Sequence, residues 1–195
     1  MALSKIDIEN MITWEVNVAN GGTGLSSGTS GQFLKFTGST TLASAADNAG
    51  KILQIQRTTL SSTTYTTGTT STSIFSDSIT PSASSSYILA ILSTNYIMSC
   101  NDNTSNPYGN IRIKQTNASG DTKADCNLRD INSAGATNVT RQFIGSLTAY
   151  WTPNTTSSID VHVCVEMGNN TGRIGLFGDN GHTNATTLQL FEIGA

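Results

Sequence analysis

From Lys51 to the C-terminus, turn-forming residues cut the sequence into nine short segments, and that punctuation leaves few folds open. The segments are KILQIQRTTL (51–60), TSIFSDSIT (72–80), SYILAILSTNYIMS (86–99), NIRIKQTNA (110–118), TKADCNLRDI (122–131), VTRQFIGSLTAYWT (139–152), SIDVHVCVEM (158–167), GRIGLFG (172–178) and TTLQLFEIG (186–194). Between them lie NDNTSNPYG, NASGD, NSAGATN, PNTTSS, GNNTG and GDNGHTNA, built from residues that tolerate turns or left-handed geometry. No helical period of useful length interrupts the series. Short strands at regular spacing predict antiparallel sheets. Two facing sheets of about four strands each, in jelly-roll or related topology, suit a segment of this size.

The surface chemistry agrees with an all-β chain. Charged residues make up 12% of the sequence, where about 25% is usual, and Ser and Thr together exceed a quarter. Threonine is β-branched and fits a pleated, half-buried surface, whereas Lys and Glu mostly serve helix faces. With ten Lys plus Arg against thirteen Asp plus Glu, scattered along the chain, there is no basic footprint for nucleic acid. At 195 residues there is room for one domain and a small appendage. The N-terminus, MALSKIDIENM, shows no long apolar stretch after its lysine, and YILAIL (87–92) falls far short of the roughly 20 residues that span a bilayer, so neither a secretory signal nor a membrane span is expected. Cys100, Cys126 and Cys164 are odd in number, widely spaced and without a CxxC, and read as reduced core thiols.

Before Lys51 the pattern changes. Residues 1–20 form an arm with apolar positions at Leu3, Ile6, Ile8, Met11, Ile12, Trp14, Val16 and Val18, too short to bury them against itself. Residues 21–50 are rich in Gly, Ser and Thr and contain one compact extended segment, QFLKFTG. GGTGLSSGTSG has neither the lysine nor the following helix that a phosphate-cradling loop requires.

Candidate chemistry is sparse. In DVHVCVEM, alternation puts Asp160, His162, Cys164 and Glu166 on one strand face and Val161, Val163, Val165 and Met167 on the other. Same-face side chains stand about 6.6 Å apart, so at most two could ligate one ion, and a mixed sheet face is the favoured reading over a metal site. Cys164 with His162 lacks a third group to orient a base. His182 lies in a loop, and no calcium loop or paired carboxylate is nominated. The N-x-S/T matches carry no weight in a chain so rich in Asn, Ser and Thr. No catalytic residue, cofactor or metal follows, and the chain is expected to be non-enzymatic.

The stretch VNVANGGTGLSSGTSGQFLKFTGSTTLASA resembles the P-V-A-N-G-G-T-G … G-T-x-G-Q-x-L segment of bacteriophage fibre and other virion surface proteins. ITPSASSSYILAIL and the closing TTLQLFEIGA resemble the β-domain often attached to it. The usual proline before Val18 is Asn17 here, and Glu15 and Trp14 replace small residues. The resemblance implies a homotrimer, with arm and Gly-rich zone of three chains wrapped together and the β-domains forming a knob on the virion surface, made in the bacterial host cytoplasm. It implies that Leu3, Ile6, Ile8, Ile12, Trp14 and Val16 anchor the arm to a phage capsid or tail protein. Gly21, Gly22, Gly24, Phe33, Leu34 and Phe36 would serve trimer assembly. Independently, a glycine-rich segment cannot offset its ordering entropy as a lone chain, and neighbours would supply the missing burial. Residues 1–50 reach on the order of 160 Å only if fully extended, which suits a knob close to the particle, a capsid decoration or cement protein. The alternative is a tail fibre or adhesin recognising host surface carbohydrate through loop residues Asn106, Tyr108, Asn180 and His182.

Overall fold

The structure is a computed structural model that describes residues 29–30, 32–37, 41–45, 50–100, 108–117, 119–129, 140–169, 172–179 and 185–195. Every regular element among these residues is a strand, and every pairing is antiparallel. No helix among them is long and apolar enough to cross a membrane. The chain divides into two compact units, Met1–Asn48 and Ala49–Ala195.

In the first unit, β1 (Phe33–Phe36) pairs with β2 (Leu42–Ala45), Phe33 opposite Ala45 and Phe36 opposite Leu42. The sequence predicts the first of these strands and not the second. Thr37 N–H donates to Thr41 C=O (3.0 Å) at the hairpin end, and Ser44 Oγ donates to Gln32 Oε1 (2.6 Å). Two strands cannot cover a face by themselves, and Phe33, Leu34 and Phe36 are all exposed.

The second unit contains β3 (Ile52–Thr59), β4 (Thr64–Thr66), β5 (Thr72–Ile79), β6 (Tyr87–Cys100), β7 (Tyr108–Gln115), β8 (Thr122–Arg129), β9 (Thr140–Trp151), β10 (Ile159–Met167), β11 (Gly172–Leu176) and β12 (Thr187–Ile193). One sheet runs β5-β10-β7-β8. The other has six strands rather than about four, because β6 is long enough to hold two partners end to end on one edge. There β12 pairs from Tyr87 to Ser93 and β11 from Tyr96 to Cys100, while β9 runs along the opposite edge from Ile88 to Ser99. β3 and β4 extend β12 and β11 respectively. With the short β4 and β11 set aside, the orders β3-β12-β6-β9 and β5-β10-β7-β8 are those of an eight-stranded jelly roll of two Greek keys.

The core follows from period-two alternation. Val161, Val163, Val165 and Met167 of β10 share one buried cluster with Ile88 and Leu92 of β6 and Leu188 and Leu190 of β12. Fully burying each such side chain contributes about 1.5–3 kcal/mol. Polar seams stitch the side of the sandwich where β3 and β5 lie. Thr58 Oγ1 donates to Asp77 Oδ2 (2.7 Å), joining β3 to β5. Glu192, almost wholly buried, accepts from Gln54 Nε2 (2.7 Å), Ser82 N–H (2.7 Å) and Ser82 Oγ (2.6 Å). Burial alone would raise this carboxyl, but the hydrogen bonds from Ser82 and Gln54 outweigh it and lower its pKa to about 2.

Candidate functional site

The two outer faces of the sandwich have opposite chemistry. On β6 the inward residues Ile88, Ala90 and Leu92 are buried, yet the alternate, outward residues Tyr87, Leu89 and Ile91 are also apolar. The register aligns them with further apolar residues on both sides. Ile193 lies between Ile52 and Tyr87, and Phe191 between Ile55 and Leu89, with Tyr150 beyond Leu89. In the next row Gln189 lies between Arg57 and Ile91, with Thr148 beyond. Tyr87 and Tyr150 stack with ring centroids 4.9 Å apart and planes 15° from parallel, an offset geometry that aromatic pairs favour. Ile52 is 58% exposed, Ile55 55% and Tyr150 57%. Among the described residues, the outward positions of β3, β12, β6 and β9 carry one charge, Arg57.

Further along the same face the rows turn polar, through Thr59, Thr187, Ser93 and Ser146. There Ser93, Thr94, Asn95, Ile144, Gly145, Ser146 and Ala185 line an open recess of about 520 Å³. Asn95 Oδ1 accepts from Gln142 Nε2 (3.0 Å) at its margin, and Ile144 stands 80% exposed.

The opposite outer face, on β5-β10-β7-β8, gathers ionisable groups. The register brings Asp160, His162 and Glu166 of β10, Arg112 and Lys114 of β7 and Asp125 of β8 onto it. The Arg112 guanidinium bridges Asp125 (2.8 Å) and Glu166 (2.5 Å), Asn110 Nδ2 donates to Glu166 (2.9 Å), and His162 Nδ1 shares a hydrogen bond with Ser73 Oγ (2.8 Å). This is the mixed polar face that alternation predicts for Asp160, His162 and Glu166. Cys164 keeps its place on this face, opposite Arg112 in an unbroken register with β7, but its side chain is fully buried there. Burial pushes the Cys164 thiol up, against the opposing pull of Lys114 and Arg112. Among the described residues no three His, Cys, Asp or Glu converge as metal ligands would.

The other sequence-predicted site residues divide by position. Phe33, Leu34 and Phe36 stand exposed on the β1–β2 hairpin. Leu3, Ile6, Ile8, Ile12, Trp14, Val16, Gly21, Gly22, Gly24, Asn106, Asn180 and His182 lie outside the described residues. Tyr108 opens β7 and is half-buried, its ring packed so closely on Gly168 that a Cβ there would come within 1.8 Å of it. That packing, together with the bond from Gly168 N–H to Tyr108 C=O (2.7 Å), gives the tyrosine a structural task at the strand end. The apolar outer face is what sequence reasoning misses. Its signal is YILAIL itself, which is apolar at both alternations.

The sequence matches no protein-family model and no curated protein sequence. Among solved structures the chain is similar to the C-terminal domain of EclA, a sugar-binding protein, at 10% identity and TM-score 0.37, covering 67% of this chain and 77% of that one. It is similar to dimeric latent PorU from Porphyromonas gingivalis at 8% identity and TM-score 0.43, covering 90% of this chain but only 15% of that one. It is also similar to VP2 of the infectious bursal disease virus subviral particle at 13% identity and TM-score 0.31, covering 83% and 41%. All three are weak likenesses.

Proposed function

We propose that the chain is a non-enzymatic structural protein of the bacteriophage particle, a short trimeric surface knob anchored through its N-terminal arm and serving as capsid decoration or cement. The observation that carries this reading is the division of labour between the two outer faces of the jelly roll. One, with Arg112, Asp125, Glu166, His162 and Asp160, suits water; the other, with Ile55, Phe191, Leu89 and Tyr150, suits a neighbouring protein surface. The resemblance of VNVANGGTGLSSGTSGQFLKF to phage fibre segments supplies the particle, and the arm supplies the anchor. Trp14 is the arm residue with most to gain from docking, since burying one aromatic removes about 150–250 Å² from solvent.

A second reading, a tail fibre or adhesin that binds host surface carbohydrate, draws support from the recess lined by Ser93, Asn95 and Ser146, which offers hydroxyl and amide groups around the exposed Ile144. One experiment separates the two. Purified particles lacking the protein are mixed with the full chain and with the Trp14→Ala variant, and occupancy is measured. Saturable binding across the capsid that weakens at least tenfold in the variant supports decoration. Binding confined to the tail favours the adhesin, and hydrolysis of host polysaccharide by the purified chain refutes both.

A further inference from the structure

We infer that copies of this chain bury the outer face of β3-β12-β6-β9 against one another, with Ile55, Phe191, Leu89 and Tyr150 at the centre of the contact. This gives the self-association in the proposed function a surface, and it stands on the geometry of the sandwich rather than on the arm.

Size is the first argument. Four strands about 4.8 Å apart and four side-chain rows about 6.8 Å apart span about 500 Å² in projection. The relief of standing side chains raises that toward the ~800 Å² that each partner contributes to a standard interface. The layout is the second. The Ile193 and Phe191 rows are apolar throughout, while Arg57, Gln189 and the Ser and Thr hydroxyls lie to one side, so an apolar centre has a polar margin.

Charge selects the occupant. Among the described residues, a partner recognised by its charge would find only Arg57 on the outer face of these four strands, with Arg173 of β11 beyond their polar rows, because Asp160, His162, Glu166, Arg112, Lys114 and Asp125 stand on the opposite sheet. A nearly neutral face meets its own copy without like-charge repulsion, and interfaces between identical chains are the more apolar class. A strand that is apolar on both faces completes the case: β6 has one face in the sandwich core and presents the other to neighbouring copies.

The test is the mass of the full chain in solution at micromolar concentration, by sedimentation equilibrium. The wild type is expected at a multiple of the 20.5 kDa protomer. The Ile55→Asp, Tyr150→Asp double variant changes two side chains that are already exposed in the protomer. It is expected to keep its circular dichroism and to raise the dissociation constant at least a hundredfold; a milder Ile55→Ser, Tyr150→Ser pair gives a smaller rise if the aspartates impair folding. Ser76→Asp with Asn127→Asp, on the opposite sheet, is expected to leave the mass unchanged. A monomeric wild type, or face variants that assemble as the wild type does, would overturn the inference, as would assembly lost on deletion of residues 1–20 but retained in the face variants. Normal assembly with no binding to particles would instead refute only the virion reading.

Discussion

Replacing Glu192 by Gln removes one negative charge from a site that three hydrogen-bond donors surround. Gln54 Nε2, Ser82 N–H and Ser82 Oγ all converge on the carboxylate, at 2.6–2.7 Å. An amide of the same shape keeps one acceptor oxygen and turns an N–H donor toward groups that also donate. The carboxyl is held at about 2, below its ordinary 4.5, a difference worth on the order of 3 kcal/mol of folding free energy at neutral pH. For a chain of this length such a loss lowers Tm by roughly 6–12 °C. The sign with pH follows from linkage. The folded pKa lies below the unfolded one, so the stabilisation is fully present above about 4.5 and is lost as pH falls through about 2. Urea unfolding of wild type and Glu192→Gln, followed by circular dichroism at pH 7, 5 and 3, should therefore show a gap of about 1–3 kcal/mol at pH 7 that is smaller at pH 3. Equal stabilities at pH 7, or a gap as large at pH 3 as at pH 7, would refute the argument that the ionised carboxylate closes this seam.

Two further substitutions test the fold. Leu92→Ala opens a cavity under the middle of β6, where Leu92 is fully buried, and should cost about 2–5 kcal/mol in urea unfolding. Gly178→Ala places a Cβ within 2.4 Å of the Ser62 backbone, which cannot rotate aside as a side chain could, and should cost at least ~1–3 kcal/mol by overpacking; an unchanged Tm would contradict the close approach of residues 177–179 to residues 60–63.

Each of the nine segments read from alternation and turn residues after Lys51 contains one strand of the sandwich, with ends displaced by a few residues at most. Two strands escape that reading for a shared reason. β4 lies in STTYTTGTT and β2 in TTLASA, where no run of large apolar residues alternates with polar ones, and each exists because a longer or better-marked neighbour pairs with it. Pairing order was illegible, since β6 meets β12 and β11, distant in sequence, through contacts that no local pattern encodes. Glu192 sits at an inward position of LQLFEIG, where alternation calls for an apolar residue, and only the approach of Gln54 and Ser82 makes the charge tolerable. The burial of Cys164 is likewise invisible in DVHVCVEM, where it alternates with the core valines Val161, Val163 and Val165 yet is as buried as they are. The apolar outer face was legible in principle, because Tyr87, Leu89 and Ile91 are as apolar as the Ile88, Ala90 and Leu92 they alternate with.

Cryo-microscopy of the intact particle tests the central claim most directly, because it reports location, copy number and orientation together. The account predicts clusters of this chain on the particle surface, with the Ile55–Phe191–Leu89–Tyr150 face turned inward between copies and the Arg112–Asp125–Glu166 face turned to solvent. Single isolated copies, clusters with the charged sheet at their centre, or particles without the protein would contradict it.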